Sequence, residues 1–221
     1  MSCGDRLDAM PSGKFITFEG GEGAGKSTQI KRLSSALEEA GLLVTVTREP
    51  GGSPAAETIR SMLLDPDATW DPSTEALFHF AARADHYTTR IAPSLRNGHW
   101  VLSDRFADST RAYQGYGLGL DMTAIETLYE IALGDFVPDL TVILDIPVEK
   151  GIARILERGE AADRYEKMDP TFHERLRQGF LEIANTEPHR CKVIHADNDI
   201  DTVTAEIFDS VETRLGVKLQ R

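Results

Sequence analysis

Gly20, Gly25, Lys26 and Ser27 fall at the spacing G-x-x-x-x-G-K-S within FITFEGGEGAGKSTQIKRL, residues 15–33. That arrangement suits one chemistry. Glycines let successive backbone N–H groups converge on phosphate oxygens, and a helix beginning at the lysine adds its positive end. Lys26 then supplies a point charge for the β- and γ-phosphates, and the Ser27 hydroxyl a ligand for Mg²⁺. Glu22 is the anomaly, a carboxylate in a loop suited to anions. Either it is a solvated side chain or it addresses something other than phosphate.

Such a loop works only between a strand and a helix. FITFE (15–19) reads as the strand, and Ile30, Leu33 and Leu37 give the following segment a helical apolar stripe that Gly41 closes. Further β-rich runs follow: LLVTVT (42–47), HWVLSD (99–104), LTVILD (140–145) and CKVIHA (191–196). A last helix is marked by Val203, Ile207, Val211 and Leu215 at a spacing of four. Strands alternating with helices predict an α/β fold, a doubly wound parallel sheet of five strands covered on both faces. Arg48 and Asp104 then fall at carboxyl ends of strands, where open α/β sheets bind ligands. YQGYGLGLD (113–121) and ERGEAADRYEKMD (157–169) read as mobile loops from their glycine and charge content.

Composition limits the partners. The 221 residues suffice for one domain, and 24 Lys+Arg against 36 Asp+Glu leave a net charge of -12. That balance argues against nucleic acid or anionic membrane as the main partner, so phosphates must be bound locally. Cys3 and Cys191 lie far apart, which favours a reducing cytoplasm over a disulfide framework. Residues 1–13 lack an apolar core of their own and read as a frayed extension, leaving 14–221 as one domain.

A phosphate loop is shared by GTPases, motors, transporters and kinases. No guanine-reading N-K-x-D run is present, and DRF after the third strand suits a small phosphotransferase better than a motor. The chain resembles the thymidylate kinases, the bacterial type of nucleoside monophosphate kinase. The resemblance is carried in one order by FEGGEGAGKST, TREPGG (47–52), AARADHY (81–87), LSDRFADSTRAYQG (102–115), GDFVPDLTVILD (134–145) and RILERGEAADR (154–164). It implies a P-loop NTPase fold with a small lid at about 154–169, ATP as donor, dTMP as acceptor, dTDP as product, Mg²⁺ as cofactor, and a cytoplasmic homodimer.

The resemblance also implies roles. Gly20, Gly21, Gly23 and Gly25, with Glu22, Ala24, Lys26, Ser27 and Thr28, belong to the ATP loop. Glu22 is expected to reach across to the acceptor's 3′-hydroxyl, a task for an acceptor-only group. Arg48 is expected on the acceptor's phosphate, and Asp104 and Arg105 beside the transferring phosphates, with Ser27 and Asp104 as metal ligands. For the base, Arg83 is expected at O4, Gln114 at N3 and Thr110 beside them, with Tyr113 crowding the 2′ position. His79 stands where many members carry a stacking Phe. Some members carry an Arg at the position of Gly23; without it the catalytic charge falls to lid arginines, here Arg158 and Arg164 before Arg154.

Overall fold

The computed structural model describes residues 13–65, 67–158, 164–165 and 167–220, the side chain of Arg158 excepted. Five strands alternate with helices as the periodicity predicts. They are β1 (Phe15–Glu19), β2 (Val44–Arg48), β3 (Trp100–Asp104), β4 (Leu140–Asp145) and β5 (Cys191–His195). The order across the sheet is β2-β3-β1-β4-β5, and every pairing is parallel. β1 therefore lies centrally, and its carboxyl end opens between β3 and β4, where the chain reverses its direction of winding.

The pleat sends alternate residues of a strand into different cores. Ile16 and Phe18 join Leu102, Val142, Leu144 and Ile194 under α1 (Lys26–Glu39) and α9 (Ile200–Leu215). Those helices contribute Ile30, Leu33, Leu37, Val203, Ile207 and Val211, the stripes read from spacing. Phe15 and Val101 face the other way, with Phe80, Ile91 and Phe106. A third cluster gathers Tyr113, Ile143, Phe172, Leu176 and Phe180.

Between β2 and β3 lie α2 (Pro54–Leu63), α3 (Pro72–His86), a π-helical turn Tyr87–Ile91 and α4 (Ala92–Arg96). Asp71 starts α3 by accepting from the N–H groups of Ser73 and Thr74, with Pro72 in the first turn. After β3 come α5 (Ala107–Thr110), a π-helix Arg111–Gly117 and α6 (Met122–Leu133); α7 (Val148–Arg158) and α8 (Pro170–Thr186) follow β4.

One expectation is overturned. Tyr113–Gly117 is not a mobile loop but buried π-helix, and Tyr113, Gln114, Gly115 and Gly117 are all buried. Its glycines serve close packing: a Cβ on Gly115 would lie 2.5 Å from Met122 Sδ, and one on Gly117 2.6 Å from Phe172 Cε2. Gly13, assigned above to the frayed extension, donates its N–H to Leu95 O at 3.3 Å, so the ordered backbone includes it. Residues 1–12, and 159–163 and 166 of the segment expected to form a lid, lie outside the described residues. No helix among the described residues is long and apolar enough to cross a membrane.

Candidate active site

The loop after β1 meets α1 at Gly25, whose φ of 91° sets the left-handed turn that starts the helix. Lys26 is only 7% exposed and donates to Gly20 O at 3.1 Å and Gly21 O at 3.0 Å, so its ammonium is folded back across the loop. Burial and the neighbouring Arg105 lower its pKa against the pull of Glu22 and Asp104. Ser27 Oγ donates to Asp104 Oδ2 at 2.9 Å, which brings the two expected metal ligands together. The loop packs tightly on α7. A Cβ on Gly23, which has φ 72°, would lie 2.3 Å from Gly151 O, and one on Gly151 2.8 Å from Glu22 O.

Glu22 is turned toward residues of the β3 side. Its Oε1 accepts from Arg105 Nη2 at 2.6 Å and from the Tyr113 hydroxyl at 2.7 Å. Burial alone would raise this carboxyl, but Arg105, Lys26 and the Tyr113 hydrogen bond override it and hold it at about 2. Arg105 sits at φ 69°, a backbone region costly for a side chain with a Cβ. Its guanidinium is fixed by Gly20 O, Ser109 Oγ and Glu22, and stacks 4.9 Å from the Tyr113 ring centroid.

These groups line one cavity of about 600 Å³ that runs from the phosphate loop to α3 and the π-helix. Arg83, 2% exposed, forms its far wall. Nε donates to Glu49 Oε2 at 2.7 Å, and Nη2 to Phe106 O at 3.1 Å and Thr110 Oγ1 at 3.2 Å. Nη1 is buried with no partner among the described residues. Gln114, buried beside it, donates Nε2 to Glu75 Oε2 at 3.0 Å and to the Tyr165 hydroxyl at 3.1 Å. His79 also lines the cavity, kept neutral because burial and Arg83 lower its pKa to about 3. Arg48 stands at the mouth and ion-pairs with Glu57 at 3.0 Å.

The sequence profile of thymidylate kinase matches residues 18–207, most of the chain. The thymidylate kinase of Caulobacter vibrioides is 56% identical over 209 residues, covering 94% of this chain and all of that one. That of Rhodopseudomonas palustris is 51% identical over 207 residues, 92% of this chain and 90% of its own. The crystal structure of thymidylate kinase from Ehrlichia chaffeensis superposes with a TM-score of 0.74 at 38% identity, over 91% of this chain and 99% of that one. The chain belongs to the thymidylate kinase family. It is a kinase on a P-loop NTPase fold.

Against the roles that thymidylate kinases suggest, the lid arginines divide. Arg154 on α7 reaches the phosphate loop, with Nη1 3.4 Å from Gly23 O and Nη2 donating to Ala196 O at 3.1 Å. Arg164 does not line the cavity; it ion-pairs with Glu75 Oε1 and donates to Trp70 O at 3.4 Å. The Arg158 side chain lies outside the described residues. Neither phenylalanine next to His79 can replace it at the cavity. Phe80 is in the core beneath Arg83, and Phe78 packs against Trp70 at 5.0 Å.

Motif and spacing did not point to Glu19, Glu75 or Tyr165, which support these groups together with Glu49 of TREPGG. Glu19 Oε1 accepts the Phe106 N–H at 2.8 Å, while Oε2 lies 2.6 Å from Ser109 Oγ, bracing the turn that carries Arg105. Glu49 bridges Arg83 and His86 Nδ1 at 3.0 Å, and His86 Nε2 lies 2.6 Å from Thr47 Oγ1. Glu75 and Tyr165 anchor Gln114. A charged residue at an inward position of a helical stripe was the available signal for Glu75; Glu19 looked like the polar end of a strand.

Proposed function

We propose that this chain transfers the γ-phosphoryl group of ATP to dTMP, giving dTDP and ADP. The bond from γ-phosphorus to the β,γ-bridging oxygen breaks, and a bond to an α-phosphate oxygen of dTMP forms. The observation that carries the reading is the guanidinium of Arg83, a buried donor group on the wall of a cavity that also holds the phosphate loop. A donor-only guanidinium at that wall suits an acceptor oxygen on a bound base and disfavours a second donor. Thymine and uracil present O4 there, whereas cytosine presents a second donor.

Phosphoryl transfer asks a protein mainly for alignment and charge. Lys26, Arg105 and Arg154 supply positive charge around the loop, and Arg48 a planar guanidinium for the acceptor phosphate. Glu22, held by Arg105 and Tyr113, would accept from a sugar hydroxyl. The Tyr113 ring would fill the space a 2′-hydroxyl needs. The adjacent oxygens of Ser27 and Asp104 fit Mg²⁺, which typically takes one or two protein ligands and the rest from phosphates and water. Held by Ser27 and Asp104, Mg²⁺ would supply positive charge for the phosphates.

We further propose one domain from residue 13 onward, with a lid near 154–169, acting as a cytoplasmic homodimer. Leu77 on α3 and Ile131 on α6, 55% and 78% exposed, are apolar side chains that a second copy would cover. Sedimentation of the wild type and of Ile131→Lys tests this.

ADP release from ATP and Mg²⁺ with dTMP, dUMP, dCMP, UMP and thymidine offered singly tests the main reading. The expected order is dTMP first, dUMP weaker, and thymidine and dCMP silent. Activity with thymidine or dCMP would overturn the acceptor assignment, and silence with every acceptor the kinase assignment.

A further inference from the structure

From the buried cluster behind the cavity we infer that Glu75 is a specificity-positioning residue: it fixes the amide of Gln114 so that the site reads the hydrogen on pyrimidine N3. The inference rests on the dTMP reading above. Glu75 lies in the first turn of α3 with no exposed surface, and its Oε2 accepts from Gln114 Nε2 at 3.0 Å and from the Tyr165 hydroxyl at 2.9 Å. Arg164 ion-pairs with its other oxygen.

A carboxylate accepts and does not donate. Only the NH₂ end of Gln114 can therefore face it, so the amide's orientation is fixed by chemistry. Both amide hydrogens are then engaged, one by Glu75 and one by Tyr165. Gln114 lines the cavity, and what it has left to offer is Oε1, an acceptor to which no described residue donates. Thymine and uracil carry N3–H and meet that oxygen as donors. Cytosine meets it with a lone pair. Arg83 tests the C4 substituent and Gln114, held by Glu75, tests the neighbouring ring atom, so the two contacts reject the same wrong base independently. Arg164 thereby belongs to base selection through its pairing with Glu75, although it lies in the segment expected to serve the phosphates.

Glu75→Gln keeps the shape and removes the acceptor-only constraint, so the Gln114 amide gains access to its flipped state. The expected result is a fall of about tenfold in the preference for dTMP over dCMP, read as the ratio of the Ki of dCMP as a competitive inhibitor to the KM of dTMP, the size of one hydrogen-bond mismatch. It should come through a higher KM for dTMP, with kcat at saturating dTMP changing by less than about twofold. Tyr165→Phe removes one acceptor but leaves the carboxylate, so it should retain most of the selectivity. An unchanged ratio in Glu75→Gln, or a fall in kcat at unchanged KM, would overturn the inference.

A second measurement needs no variant. In 5-fluoro-dUMP the fluorine makes the N3 proton more acidic, so this proton is lost within an accessible alkaline range. For the wild type, KM for the fluoro analogue should rise by about tenfold or more as that proton is lost, while KM for dTMP over the same range reports titration of the protein itself. Parallel profiles, or a falling KM for the analogue, would overturn the inference. Failure to phosphorylate dTMP at all would instead overturn the reading beneath it.

Discussion

Glu19 and Glu22 stand three residues apart, and their surroundings push them in opposite directions. Burial, with Asp108 nearby, raises Glu19 to about 8, whereas Arg105 and Lys26 overcome burial at Glu22 and hold it at about 2. The signs of their contributions to stability differ accordingly. Glu22 stabilises the fold above its unfolded value of 4.5, and that contribution is lost as pH falls toward 2. Glu19 binds its proton more tightly when folded, so its contribution declines as pH rises from 4.5 to about 8. Thermal unfolding of Glu19→Gln should therefore show a flatter Tm profile between pH 5 and pH 8 than the wild type; parallel profiles would refute the raised value. Lys26→Ala should lower kcat by about 10³-fold, judged by the worth of single charges at transferring phosphates. Single-turnover rates, with Tm as a folding control, check that. At this scale the sequence made Lys26, Ser27 and Asp104 legible because motif spacing fixes their neighbours. Arg164 was not, because its partner Glu75 lies 89 positions away in sequence and only tertiary packing joins them.

Spacing in the sequence anticipated α1 and α9, where Leu33, Leu37, Ile207 and Val211 recur at helical intervals and are fully buried. It misread residues 113–117, since glycine content signals both a hinge and a close contact. What distinguishes the two is the neighbour: Phe172 on α8 fills the space beside Gly117. Gly117→Ala should accordingly destabilise the protein by about 1–3 kcal/mol, as overpacking does, measured as a lower midpoint in urea at unchanged slope. A hinge would tolerate the methyl group. Leu33→Ala on the buried face of α1 should cost about 2–5 kcal/mol in the same assay.

The whole molecule joins its parts through the carboxyl ends of β1, β2 and β3, so a ligand that fills the cavity should tie the sheet to α3 and the π-helix. With dTMP at 100 times its Kd, linkage predicts about 2.7 kcal/mol of added stability. Calorimetry should show a raised Tm for the wild type and a much smaller rise for Arg83→Lys, which lacks the forked guanidinium that presents Nη1. Parallel pairing and both covered faces followed from alternation of strand and helix, but the strand order and the depth at which α7 sits on the phosphate loop did not, because alternation fits more than one order and backbone-to-backbone approach leaves no periodic trace. That seat has a consequence for how this kinase could be altered. Gly23 and Gly151 leave no room between loop and helix, so a side chain at either would lift α7 and carry Arg154 away from the Gly23 carbonyl it reaches. An arginine rooted in the loop and one delivered from α7 are thus mutually exclusive designs, and a chain could exchange one for the other only by moving the helix in the same step.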